Sequence, residues 1–468
     1  STPAPSTRSM ACKAQTSGRI YLHSGPRTEL HEIIRQEYAR HQDRAVPRNT
    51  LRQAVQGMLD TFAYQNFDAA AGEYTNRCCR PPRETEMRPW RLVTEIGWTG
   101  GGVLAYPLVL CRDALGADAE APLAAAMSGE QLFDRIADAY NENSGLLNDL
   151  MAPNAAGSQV NGWWTGYGLV KDCHCAYTVG SAVHYLTKTM DYLHQNGKPC
   201  PAKWMDAAQK VLHTVMDLQR ADGAFGYTYS TQERKVLDWS GFAGCWFAPA
   251  LVYLYRLTGE ERCLHSAEKA LDYYHTFVKD LNCYGTPMDT WKAVDEEGNL
   301  AFMRGSRLLY EQTGKAEFLQ YMKDSAGYEF LWRYGYKTYP EHTPLNQGWS
   351  ACGGAVTSVS NPHIHPMGVI IDTDLRYLAR VTGDGYYASR AADSAAWMLQ
   401  CLELYPAATG YGRYGILSER WCPSDGLDVE RFSDGRPFSS WFSHNLWASA
   451  CVLEAACELL LEIEHKKG

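Results

Sequence analysis

Apolar residues recur along most of this chain at the period of an α-helix, and two kinds of segment alternate. Six stretches are amphipathic, at about 49–64, 128–141, 203–219, 261–278, 315–333 and 384–403. In WMDAAQKVLHTVMDLQ, for example, Met205, Ala208, Val211, Leu212, Val215 and Leu218 fall on one face. Each is followed by a stretch that is apolar nearly all round, at about 99–115, 175–195, 242–257, 298–313, 366–382 and 440–464. Three segments align on a Thr-Gly pair, with Leu254, Leu309 and Leu378 four residues before the Thr. Cys263, Phe318 and Tyr387 lie five after it, and the small residues Ala270, Ser325 and Ser394 twelve after it. An apolar helix stopped by a left-handed Gly and followed by an amphipathic helix is an αα-hairpin. Strand-like alternation is scarce and local. The pattern predicts an all-α domain over 45–468, with twelve helices in two concentric rings and the apolar helices inside. Residues 1–44 read as a linker or extension. Their Ser/Thr/Pro/Ala-rich start has no apolar run of a secretory leader and is expected to be extended or loosely packed over 1–26.

The six hairpins, the Leu-x-x-x-Thr-Gly turns and the phrase LQRADGAFGY at 218–227 resemble the (α/α)6 toroids of the six-hairpin glycosidase superfamily, over about 45–465. The resemblance implies an (α/α)6 toroid with long loops at one mouth, and carbohydrate chemistry there.

Composition narrows the partners. Lys and Arg number 44 against 53 Asp and Glu, a net charge of −9, and no basic run is present. That argues against nucleic acid. No apolar stretch reaches about 18 residues, which argues against a membrane span. The 15 cysteines, an odd number scattered through apolar stretches, suit unpaired thiols and a cytoplasmic protein. Aromatic residues total 56 of 468, and flat rings suit sugar faces as well as cores. The oligomeric state is open.

If the inner helices run one way, the loops feeding their N-termini meet at one mouth. Those loops supply the candidate substrate-binding residues Trp98, Trp164, Asp172, His174, Trp239, Trp291, Trp349, His363, His365, Trp441 and His444. Each loop carries a Trp, which fits a sugar-stacking funnel or a plug at each loop–helix junction. Glycoside hydrolysis needs a general acid and a base or nucleophile. Asp289, Asp238, Glu95 and Glu419 are the candidate catalytic carboxylates, each also able to cap a helix. Asp289, in CYGTPMDTWKAVDEEG between a Pro turn and Trp291, leads. Asp372 and Asp374 sit inside an apolar helix and require partners, with Arg376 and Arg380 in reach along the chain. His363 and His365 alternate between two prolines and share a side if extended.

Metal and cofactor sites find little support. Cys173, His174, Cys175 and Cys352 or His363 lack the paired spacing of a zinc site. The Cys-Cys-Arg-Pro-Pro string at 78–82 is similar to the Cys-Cys-Pro-Pro of cysteine-nucleophile arabinofuranosidases but carries an inserted Arg80 and lacks a Glu-x-Cys partner. No phosphate loop, dinucleotide fingerprint or zinc-protease motif occurs. The reading is a glycoside hydrolase acting on an oligosaccharide or small glycoside by carboxylate catalysis, without cofactor or metal. A polysaccharide lyase, a sugar epimerase using Asn, His or Tyr, and a non-catalytic glycan-binding toroid are the alternatives.

Overall fold

The computed structural model describes residues 24–25, 29–41, 44–79, 88–91, 94–97, 101–151, 162–164, 169–285, 292–337, 350–359, 364–402, 442–444 and 446–466. In chain order the helices are α1 (Leu30–Arg40), α2 (Leu51–Thr61), α3 (Gly102–Leu115), α4 (Glu120–Ala125), α5 (Gly129–Asp138), α6 (Ala176–Gln195) and α7 (Ala202–Asp217). They continue with α8 (Phe247–Thr258), α9 (Glu261–Lys279), α10 (Glu297–Thr313), α11 (Ala316–Trp332), α12 (Asp372–Thr382), α13 (Gly385–Cys401) and α14 (Leu446–His465). The 3-10 turns at 243–246 and 367–371 lead into α8 and α12.

The Thr-Gly repeat has a physical cause. Thr258, Thr313 and Thr382 each donate their hydroxyl to the carbonyl of the leucine four residues earlier, at 2.6–2.8 Å. Each hydroxyl then accepts the N–H two residues on, at 3.2–3.3 Å. Gly259, Gly314 and Gly383 between them adopt φ of 72°, 65° and 70°, the left-handed region that a Cβ disfavours. A Cβ there would meet nothing within 4 Å, so backbone conformation rather than space selects glycine. The twelfth residue after each Thr, Ala270, Ser325 or Ser394, is fully buried, and Ser325 bonds Asn299 of the neighbouring inner helix at 2.7 Å.

The inner ring is α3, α6, α8, α10, α12 and α14, each packed on the next, with α14 closing onto α3. The outer helices α2, α5, α7, α9, α11 and α13 pack against this ring, each against the inner helix that follows it in the chain or its neighbour. This is the all-α toroid that the pattern predicts, and helices α6, α7, α9, α10, α11 and α13 begin and end close to the expected positions. The one unanticipated long helix is α1, which packs on α11. Its anchors, Arg35 to Asp384 at 2.7 Å and Tyr38 to Asp393 at 2.6 Å, are polar and distant in sequence. Among the described residues, short strands occur only in the loops. The longest-range of them, 76–79, is flanked by 442–444 and 88–91. A three-stranded antiparallel sheet joins 173–175, 228–230 and 236–238.

Candidate functional site

Short Thr-Gly turns join α8 to α9, α10 to α11 and α12 to α13, so the longest connections run from outer C-termini to inner N-termini at the opposite end. The inner N-termini therefore open on one mouth, where their unpaired N–H groups and positive dipole ends gather.

Below that mouth the axis is filled. Tyr177, on the first turn of α6, reaches across the ring and places its hydroxyl oxygen 3.7 Å from the sulfur of Met367, at the start of the opposite inner segment. The same hydroxyl bonds Glu297, the first residue of α10. Two α-helical turns deeper, Arg304 binds both oxygens of Asp374, at 2.8 and 2.9 Å, and the carbonyl of Ile370. Lys188 lies between Glu454 at 2.5 Å and Glu458 at 2.7 Å. Tyr185 donates to Glu454 at 2.7 Å and Tyr106 to Glu458 at 3.1 Å. These buried groups come from five of the six inner helices and tie them together across the axis.

Carboxyl groups concentrate at the top of this plug. Glu296 and Glu329 meet side chain to side chain. Burial and then the neighbouring Glu329 push the Glu296 carboxyl well up. Arg333 grips Glu329 at 2.7 Å, Asp372 at 2.8 Å and the carbonyl of Gly368 at 2.8 Å. Burial outweighs Arg333 at Asp372 and raises its carboxyl to about 6. A Cβ on Gly368 would overlap the Glu296 carboxyl and sit 3.1 Å from that of Glu329. The partners of Asp372 and Asp374 are thus arginines from α10 and the end of α11, not Arg376 or Arg380, because the toroid brings different hairpins together.

Among the sequence-predicted residues, Asp238 is half-buried at the end of the 236–238 strand. It accepts from Lys292 at 2.6 Å and from the N–H of Ser240 at 2.8 Å. Burial pushes its carboxyl up, but these donors outweigh it and hold it below the usual range. Trp239 is half-buried, with the Arg220 guanidinium 5.1 Å from its ring centre. Asp172 is exposed at φ 58°. His174 is fully buried and bonds Ser144 at 2.9 Å, so Ser144 orients it. Burial lowers its pKa to about 4. His365 is buried with its ring 4.4 Å from that of Trp447. Its Nδ1 accepts the N–H of Met367 at 3.0 Å, which places the proton of the neutral ring on Nε2. Glu95, Trp164 and His444 lie on short strands whose side chains are outside the described set, and Trp98, Asp289, Trp291, Trp349, His363, Glu419 and Trp441 lie outside the described residues. Trp163, Trp246 and Trp447 fill the core, as junction plugs do. Among the described residues no group of three or more His, Cys, Asp or Glu could hold a metal.

Glu297 and Tyr177 were not singled out from the sequence. The signal for Glu297 was present in AVDEEGNLAFM, where three acids enter an apolar helix.

No protein-family model matches the chain, and no curated protein matches it. Solved structures do. A cellobiose 2-epimerase from Bacillus thermoamylovorans superposes with a TM-score of 0.55 at 12% identity, covering 92% of this chain and 99% of that one. A glycoside hydrolase family 76 mannosidase from Bacteroides thetaiotaomicron gives 0.54 at 14% identity, covering 89% and 99%. An unsaturated glucuronyl hydrolase specific for heparin gives 0.52 at 12% identity, covering 89% and 98%. The fold is the (α/α)6 toroid of the six-hairpin glycosidases. At these identities the likeness concerns the fold.

Proposed function

We propose that this chain is a carbohydrate-active enzyme that hydrolyses a glycosidic bond at the mouth of the toroid. The observation that carries the reading is Glu297, a carboxylate at the ring axis on the floor of the mouth, bonded to the hydroxyl of Tyr177. A donor aimed at a carboxylate favours its ionised form, which suits a base or nucleophile. The partner acid then comes from the loops above. Asp289 remains the leading candidate, with Glu95 and Glu419 beside it. Asp238 is held ionised by Lys292 and fits charge stabilisation better than proton donation. The substrate is an oligosaccharide or small glycoside, and the Trp residues of the feeder loops supply its stacking faces. Eleven described cysteines are free thiols, ten of them buried, which favours a reducing compartment such as the cytoplasm. No described helix is long and apolar enough to cross a membrane.

A second reading, sugar epimerisation or isomerisation, has its own observation. His365 is buried against Trp447 with its tautomer set by a backbone N–H, as a proton-transfer imidazole requires.

Incubation with a panel of oligosaccharides separates the readings. New reducing ends mark hydrolysis. Deuterium incorporation from heavy water into the sugar carbon skeleton, with no new ends, marks epimerisation, and ultraviolet absorbance from an unsaturated product marks a lyase. Glu297→Gln is expected to lower kcat about 10²–10⁴-fold with an unchanged Tm. Wild-type turnover in that variant would remove Glu297 from the chemistry and leave Asp289→Asn as the next test.

A further inference from the structure

A cavity lies outside the inner ring, between α1 and the C-terminal end of α11. Its volume is about 380 Å³, within the range of small-ligand sites. Five aromatic residues line it: Tyr38, Phe330, Trp332, Tyr334 and Tyr336. Tyr334 and Tyr336 stand edge to face, 5.6 Å apart, and Tyr336 is 46% exposed at the lip. An exposed tyrosine beside a deep aromatic wall offers the flat apolar face and polar edge that suit a sugar ring.

The charge of the wall is the second observation. Arg390 lines the cavity and is fully buried. Its hydrogen bonds go to the Tyr386 hydroxyl at 3.2 Å and the Arg333 carbonyl at 2.7 Å, both neutral oxygens. Its Nε has no partner. The Phe330 and Tyr38 rings stand 4.2 and 4.8 Å from the guanidinium and offset part of the burial. Asp393, nearly one turn further along α13, is engaged by the Tyr38 hydroxyl at 2.6 Å and by Arg44 at 3.4 Å. At the lip, Glu37 pairs with Arg40. A buried cation without a counter-ion is costly, and an arriving anion relieves that cost.

We propose that this cavity is a second saccharide site, separate from the catalytic mouth, and that it takes a sugar bearing a carboxylate. The assignment of a sugar, rather than another flat anion, rests on the carbohydrate reading above, whereas the site itself does not.

The test uses the full chain, and none of the probes carries a glycosidic bond that hydrolysis could consume. Sodium glucuronate, glucose and sodium benzoate are titrated separately by calorimetry. Saturable glucuronate binding with a millimolar Kd is expected, at least about tenfold tighter than glucose. Tyr336→Ala, a change at an exposed lip, is expected to weaken glucuronate at least about tenfold. Arg390→Met, if it folds, is expected to abolish the preference for glucuronate over glucose. Absence of saturable glucuronate binding, or equal affinity in Tyr336→Ala, overturns the site. Binding of benzoate without glucuronate overturns the sugar assignment. Glucuronate binding that depends on Tyr336, in a chain that turns over no glycoside, would retain this site and reject the hydrolase reading.

Discussion

Lys188→Met tests whether the charged plug holds the inner ring together. Lys188 is buried on α6, and both carboxylates it touches, Glu454 and Glu458, project from α14. The two helices do not neighbour each other in the ring, so the ion cluster spans α3 between them. Methionine preserves the length of the side chain and removes the cation. Two carboxylates are then left buried beside Arg304 and three hydroxyl donors, Tyr185, Tyr106 and Thr373. Removing one partner of a buried pair costs about 3–5 kcal/mol. At about 2.1 cal/mol/K per residue, 468 residues give an unfolding entropy on the order of 1 kcal/mol/K, so Tm falls by about 3–5 °C.

The pH dependence sharpens the test. In the native protein burial raises Glu458, yet Lys188 and Arg304 outweigh it and hold the carboxyl well below the ordinary range. A depressed native pKa adds stability above the unfolded value, about 4.3, and that stability is lost as pH falls towards the native one. Without Lys188 the native pKa rises above the unfolded value. The folded variant then keeps a proton that the unfolded chain releases, and its stability falls as pH rises. The deficit against wild type is therefore expected to widen from pH 5 to pH 8, by at most about 1.4 kcal/mol per pH unit. Thermal melts followed by circular dichroism at both pH values measure it. A Tm loss under 1 °C at both, or a deficit that narrows with rising pH, would refute the reasoning.

Three further outcomes follow from named contacts. Tyr177→Phe removes the donor to Glu297, a hydrogen bond to a charged group of about 1.5–3 kcal/mol, so kcat/KM measured at one pH is expected to fall by about tenfold or more. Gly368→Ala forces a methyl group onto the Glu296 carboxyl and is expected to destabilise by about 1–3 kcal/mol in a denaturant melt, where alanine at the open Gly385 is near neutral or stabilising. Cys200 is the exposed thiol among the described cysteines, and partial burial pushes it up to about 11, so Cys200→Ser is expected to remove one thiol that reacts in the native protein, faster as pH rises, whereas Cys245→Ser removes none until denaturant is added.

The sequence by itself determined the helices and their order. Helical period, the amphipathic-to-apolar alternation and the Leu-x-x-x-Thr-Gly caps are local properties, and each acts through bonds within four residues. That is why the bounds of α6, α7, α9, α10, α11 and α13 could be read from the chain alone. The repeat also set which end of the toroid carries the long loops, because a three-residue cap leaves no room for them at the other. Helix α1 escaped the reading because its anchors to Asp384 and Asp393 are ion-pair and hydroxyl contacts more than 340 residues away, which leave no periodic trace. Tertiary structure alone decided what each buried charge meets. Asp372 and Asp374 looked for arginines on their own helix and found Arg333 and Arg304 on the preceding hairpin, since the ring packs the inner faces of consecutive hairpins against each other. The same closure buried His174 and His365, half-buried Asp238 on Lys292, and carried Glu297 and Tyr177 together over the plugged axis. Which side chain reaches a ring's centre depends on helix rotation and on the neighbour across the ring, and neither is encoded in local spacing.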